Sequence, residues 1–194
     1  MGTAVPHDRC SMDVSTLSTL FAVGAIAVAV LVAATAGLRL AAVWSRGAAV
    51  WWDALVAAAG PSALWLGGAM AVLATAGSLY YSLGAGFVPC ELCWYQRIAM
   101  YPLSLLLVLG ALWRDRRIVR YVLPIAAVGM ALSGYHYLLQ QFPDLAGGTC
   151  SSSVPCTAAY VWEFGFVSIP LMALVSFAAV ITASLLAVAH DRRS

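Results

Sequence analysis

Residues 88–113 read VPCELCWYQRIAMYPLSLLLVLGALW. Two thiols, Cys90 and Cys93, stand three positions apart at the rim of an apolar run, 94–113, in which Arg97 is the only charged side chain. At about 1.5 Å per residue such a run crosses roughly 30 Å of hydrocarbon as a helix. Pro102 falls inside it, which membrane bundles tolerate because neighbouring groups take up the freed backbone carbonyl. A helix that starts near Cys93 brings Arg97 round to the same face one turn later. That placement favours a reactive thiolate over an inert thiol.

The rest of the chain has the same character. Of its 194 residues 63% are hydrophobic and 9% are charged, against about 25% charged in an ordinary soluble domain. The sequence therefore specifies an all-α, polytopic membrane protein. A formal net charge of +2 says little about partners, and no basic cluster is joined to exposed aromatics, which excludes nucleic acid as a partner.

Working outward, four further spans are organised around this one. Residues 1–16 form a short polar tail before the apolar run 17–38. A cleaved signal peptide is the competing reading, but the run is long, its positive flank follows it at Arg39 and Arg46, and Arg9 before it is offset by Asp8 and Asp13. A retained span with the N-terminus outside is preferred. Residues 44–60 carry Trp44, Trp51, Trp52 and Asp53, and two readings stay open: an interfacial helix, or a connecting loop with aromatic anchors. A separate span is disfavoured because Asp53 would sit at membrane depth. Spans then follow at 62–83, 94–113, 121–138 and 166–189. The division is an N-terminal tail, extra helix and interfacial segment at 1–61, a four-helix bundle at 62–189, and a cytoplasmic tail at 190–194.

Orientation follows from arginine. Placing 39–61, 114–120 and 190–194 on the cytoplasmic side collects eight of the ten Arg there and leaves loops 84–93 and 139–165 with none. Both cysteine-bearing loops are then outside, with Cys90 and Cys93 on one, Cys150 and Cys156 on the other, and Cys10 on the external tail. Thiols outside the cytoplasmic membrane sit where disulfides persist. Two such pairs joined by membrane helices suit thiol–disulfide exchange, with electrons passing from one dithiol to the other and on to an acceptor in the lipid.

The same residues admit other uses. Two structural disulfides would staple the loops, although Cys90 and Cys93 enclose too little chain to constrain much. Four cysteines spaced C-x2-C and C-x5-C suit a metal site, though oxidation competes for the thiols and no histidine lies near them in sequence. Arg97 as a snorkelling rim residue is the plain alternative to a chemical role. His136 and Gln140 share one face at the end of the fourth span, where His136 serves equally well as a hydrogen-bonded interface residue. Cys10 reads as a bystander.

Cys90-Glu91-Leu92-Cys93-Trp94-Tyr95-Gln96-Arg97, then Tyr101-Pro102, His136 with Gln140 and Pro143, Cys150, Cys156, and Trp162-Glu163-Phe164-Gly165 leading to Pro170 together resemble the disulfide bond formation protein family DsbB, in its compact form, BdbC or disulfide bond formation protein C. The resemblance covers about 62–189. It implies a four-helix membrane bundle that reoxidises an extracytoplasmic thioredoxin-like dithiol oxidase of the DsbA or BdbD kind and passes the electrons to a membrane quinone. It assigns Cys90 and Cys93 to the quinone-proximal pair, with Cys93, Arg97 and His136 at the quinone. Cys150 would form the mixed disulfide with the partner, and Cys156 would complete the second pair. The all-arginine, alanine-rich composition suggests a high-GC bacterium and menaquinone rather than ubiquinone. Two alternatives from other classes remain: a metal-binding or metal-transfer membrane protein, and a bundle working in reverse as vitamin K epoxide reductases do. The first span, the segment 44–60 and Cys10 depart from the family pattern.

Overall fold

The computed structural model describes residues 14–146 and 154–193. Six α-helices follow in order: α1 (Val14–Trp44), α2 (Arg46–Ala59), α3 (Ala63–Leu79), α4 (Glu91–Leu112), α5 (Val119–Gln141) and α6 (Ile169–Asp191). Five stretches are long and apolar enough to cross a membrane: Val14–Trp44, Arg46–Gly84, Glu91–Leu112, Arg116–Gln141 and Ile169–Asp191. The expected spans are therefore all present, with ends shifted by a few residues. The second stretch also takes in the segment 44–60, whose two readings the structure decides in favour of a helix.

α2 begins because Ser45 leaves helical geometry (φ −128°, ψ 125°) and accepts the Ala48 N–H on its hydroxyl, an N-cap. It ends at Gly60–Ser62, a 3₁₀ turn with Pro61 near its start. One face of α2 buries Trp52 and Val56 while Trp51 stays exposed. Arg39 of α1 lies over the Trp52 ring, 5.5 Å from its centre. Asp53 sits at the surface paired with Arg193 at 2.7 Å.

Helices α3, α4, α5 and α6 close a ring in which each packs on the next and α6 returns to α3. Without a hydrophobic driving force between helices in lipid, close approach needs small residues. Gly129 of α5 supplies one such approach, since a Cβ there would lie 2.3 Å from the Phe177 ring of α6. Outward faces are apolar, as at Leu105, Val128 and Leu185, which suits contact with hydrocarbon chains. α1 packs along α6 and α2.

One end of this bundle, the thiol end, gathers Cys90, Cys93, Cys156 and the start of α1. The other, the arginine end, gathers Arg39, Arg116 and Arg193. At the thiol end α3 widens into a π-helical turn, Tyr80–Gly84. Beyond it a compact turn at 163–167, closed by paired backbone bonds between Glu163 and Val167, requires left-handed backbone at Phe164 and Gly165 (φ 54° and 77°).

Candidate active site

Cys90 occupies the N-cap of α4, where its sulfur accepts the Cys93 backbone N–H at 3.4 Å. The C-x-x-C spacing then stacks the two sulfurs 2.9 Å apart, both as free thiols. Cys90 already accepts one N–H and faces the positive end of the helix dipole, so Cys93 is the S–H donor of the pair. The Cys90 thiol is drawn down from the ordinary range to about 4, first by the Cys93 hydrogen bond and then by His136, against the opposing effect of burial. Sequence reasoning placed the thiolate on Cys93 beside Arg97; in this reduced arrangement the charge is favoured on Cys90.

His136 is 1% exposed and joins three partners. Its Nε2 lies 3.1 Å from the Cys156 carbonyl oxygen and 3.7 Å from the Cys90 sulfur. A carbonyl only accepts, so Nε2 carries the proton. Nδ1 of the neutral ring then accepts from the Gln96 amide at 3.0 Å. Gln140, one turn along α5, donates to the Ala158 carbonyl at 3.4 Å. The shared face of His136 and Gln140 is thus the face that holds the Cys156 segment. Cys90 and Cys156 lie in one buried cluster with Leu92 and Leu139, and Cys156 is disulfide-bonded. Cys150 and Cys10 lie outside the described residues.

Arg97 reaches back to α3 and its π-helical turn, donating to the Ser78 carbonyl at 3.1 Å and to the Ser82 hydroxyl. It also covers the Trp94 ring at 5.2 Å. Cys93, Gln96 and Arg97 line one side of a cavity of about 290 Å³ that runs between α1, α3, α4 and α6. A stack of Phe87 between Tyr81 and Tyr160, with centroids 5.7 and 4.7 Å away, stands beside its rim. The second thiol therefore faces the cavity and the first faces His136.

Sequence reasoning missed Gln96, Ser78 and Ser82. Gln96 carries a signal in retrospect: it is an uncharged polar residue inside an apolar span, three positions after Cys93, and a buried amide needs a partner. The serines have no such signal, because Ser78 acts through its backbone carbonyl.

A metal was the competing use of these residues. Cys90, Cys93 and His136 bring ligand atoms within 4.8 Å of one another. Two thiolates on tetrahedral zinc, each at about 2.3 Å, stand about 3.8 Å apart, so these sulfurs, at 2.9 Å, would have to separate to take it. The imidazole Nε2 is also committed to a carbonyl.

The family model for the disulfide bond formation protein DsbB matches residues 60–187. The chain belongs to the DsbB family. Disulfide bond formation protein C of Bacillus subtilis is 48% identical over 113 residues, 58% of this chain and 82% of that protein. The probable disulfide formation protein of Oceanobacillus iheyensis is 46% identical over 129 residues, 63% of this chain and 86% of that one. The probable disulfide formation protein C of Halalkalibacterium halodurans is 47% identical over 118 residues, 60% and 85%. No solved structure matches. DsbB membership makes the chain a multi-pass membrane thiol oxidase of disulfide formation, and α1 and α2 precede the matched region.

Proposed function

We propose that this DsbB-family protein reoxidises an extracytoplasmic thioredoxin-like dithiol oxidase through two cysteine pairs and delivers the electrons to a membrane quinone. The observation that carries the reading is the imidazole of His136, which touches the Cys90 sulfur and the Cys156 main chain at once. It holds Cys90 and Cys156 in one buried cluster, which supports direct exchange between the two pairs.

The partner's thiolate attacks the second pair, taken as Cys150–Cys156, and leaves as a disulfide while two thiols remain on the chain. One of those thiols, as thiolate, attacks the oxidised Cys90–Cys93 pair, and resolution closes the second disulfide again. Each transfer moves two electrons, and about 30 mV is worth about 1.4 kcal/mol for such a couple. The released Cys90 thiolate is held by the α4 N-terminus and His136. Cys93, the donor thiol, stands at the cavity. The cavity fits a quinone: Arg97 and Gln96 offer N–H donors for carbonyl oxygens beside Cys93, and the remaining lining is largely apolar. When bound, a quinone supplies a two-electron, two-proton sink of high potential. Menaquinone is the proposed form. The arginine end is proposed as cytoplasmic and the thiol end as external, from the positive-inside bias.

The test is anaerobic mixing of the purified protein with a reduced thioredoxin-like oxidase and a soluble quinone analogue. Quinone reduction that requires the oxidase is expected. Reduction of the oxidised oxidase by the protein supplied with a soluble quinol would instead show the bundle working in reverse, and stoichiometric metal with no quinone reduction would favour the metal reading. Labelling from outside intact cells should reach a cysteine introduced at Ala158 and miss one introduced at Arg117.

A further inference from the structure

The cavity beside Cys93 changes character along its length. Its rim carries Ser78, Ser82, Gln96 and Arg97, while its far end carries Val28, Met70 and Phe177. From Ser78 to Met70 along α3 is about 12 Å at 1.5 Å per residue. One wall is α1, through Phe21, Gly24, Ala25 and Val28.

This wall lies outside the part of the chain that matches the family model. It is nevertheless fixed to the site. The Tyr81 hydroxyl donates to Ser18 of α1 at 3.2 Å, the Thr19 hydroxyl bonds Glu163 at 3.2 Å, and the Phe21 ring meets the Tyr81 ring edge-on at 5.9 Å. Beyond these contacts α1 follows α6, and the space between α1 and α3 widens into the cavity. At Gly24 an added Cβ would meet nothing within 4 Å.

We propose that α1 completes a channel for the isoprenoid chain of the electron acceptor, with the ring held at the thiol-end rim. The extra helix would then set which chain-bearing quinones the protein takes. The inference rests on the quinone reading above and adds to it a site for the chain. The commitment to an isoprenoid chain comes from continuity. The apolar end opens directly from a rim where N–H donors stand beside a reactive thiol, so the occupant needs a carbonyl-bearing, reducible head joined to a hydrocarbon. A bilayer acyl chain satisfies the apolar end alone.

The experiment measures equilibrium binding to the purified full chain in detergent by quenching of tryptophan fluorescence. The probes are a naphthoquinone carrying an isoprenoid chain and the same ring without it. The proteins are wild type, Gly24→Leu, Ala25→Leu, and Gly37→Leu as a control, since Gly37 lies on the same helix with open space beside it but does not line the cavity. Gly24→Leu and Ala25→Leu are expected to raise Kd for the chain-bearing probe about tenfold while the bare ring stays within about twofold. Gly37→Leu should change neither. Equal loss for both probes, no loss for either, or a wild type that binds the two probes equally would overturn the chain channel. A wild type that exchanges disulfides with its partner oxidase but binds neither probe would instead remove the quinone reading, and the channel with it.

Discussion

The two ends of the bundle solve the problem of charge in opposite ways. At the arginine end Arg193 pairs with Asp53 at 2.7 Å, Arg116 with Asp191 at 3.6 Å, and Arg116 donates to His190 Nδ1 at 2.7 Å. Among the described residues both ion pairs lie there, with Asp53, Arg193 and Asp191 exposed and Arg116 half-buried. At the thiol end Arg97 is held by a carbonyl and a hydroxyl, and His136 by an amide and a carbonyl. Neutral partners leave the Arg97 charge available to a changing sulfur or acceptor, where a carboxylate would have cancelled it. One end is thus arranged for anchoring and the other for redox work, within helices of one composition.

Substitutions can break this contrast in graded steps. Cys90→Ser or Cys93→Ser should reduce oxidase-dependent quinone reduction to background, measured as turnover per folded molecule. Next, Arg97→Ala should slow quinone reduction by about tenfold or more, the loss of one or two charge-assisted bonds. Arg97→Lys should lose less, because it keeps the charge and loses only the planar fork. Stoichiometric thiol exchange with the partner should survive in both. Loss of exchange alone would place Arg97 on the other half of the relay.

The thiolate at Cys90 offers a pH test of the same end. With its value lowered to about 4, alkylation of the reduced protein by iodoacetamide should stay fast from neutral pH down to about 5 and fall below about 4. The unfolded thiol binds a proton across that window and the folded one does not. Stability of the reduced form should therefore rise with pH from about 4 towards 9 and be lost as pH falls through about 4. His136→Leu should move the alkylation fall upward. An unchanged profile would mean that Cys93 and the helix end suffice.

Changes at the arginine end should act on stability alone. Gly60→Ala would put a Cβ 2.4 Å from that of His190 and should cost about 1–3 kcal/mol, as overpacking does, read as a lower unfolding midpoint with turnover per folded molecule preserved. Asp53→Asn removes an exposed pair and should cost less than about 1 kcal/mol. A turnover defect in Asp53→Asn would erase the distinction between the ends.

Much of this was legible in the sequence because hydrocarbon imposes long apolar runs, and a run such as 166–189 reads directly as a span. The cysteine spacing and the arginine distribution likewise speak through chemistry that is local in the chain. Segment 44–60 was ambiguous because its helix depends on Trp52 and Val56 finding a surface on neighbouring helices, which local pattern does not encode. The bond between Gln96 and His136 spans forty residues, and the path of Arg97 to Ser78 depends on the packing of α3 against α4. The role of α1 in the cavity was hidden for the same reason: Gly24 and Ala25 are unremarkable until another helix stands opposite them.

The π-helical turn at Tyr80–Gly84 makes the arginine socket a matter of counting. A π turn amounts to one residue inserted in an α-helix, and each residue turns the helix by about 100°. Deleting a single residue there would restore the regular register and swing the Ser82 hydroxyl about a quarter turn around the axis, away from Arg97. Chain length at this one turn, more than the identity of any side chain, decides whether the guanidinium is aimed or adrift.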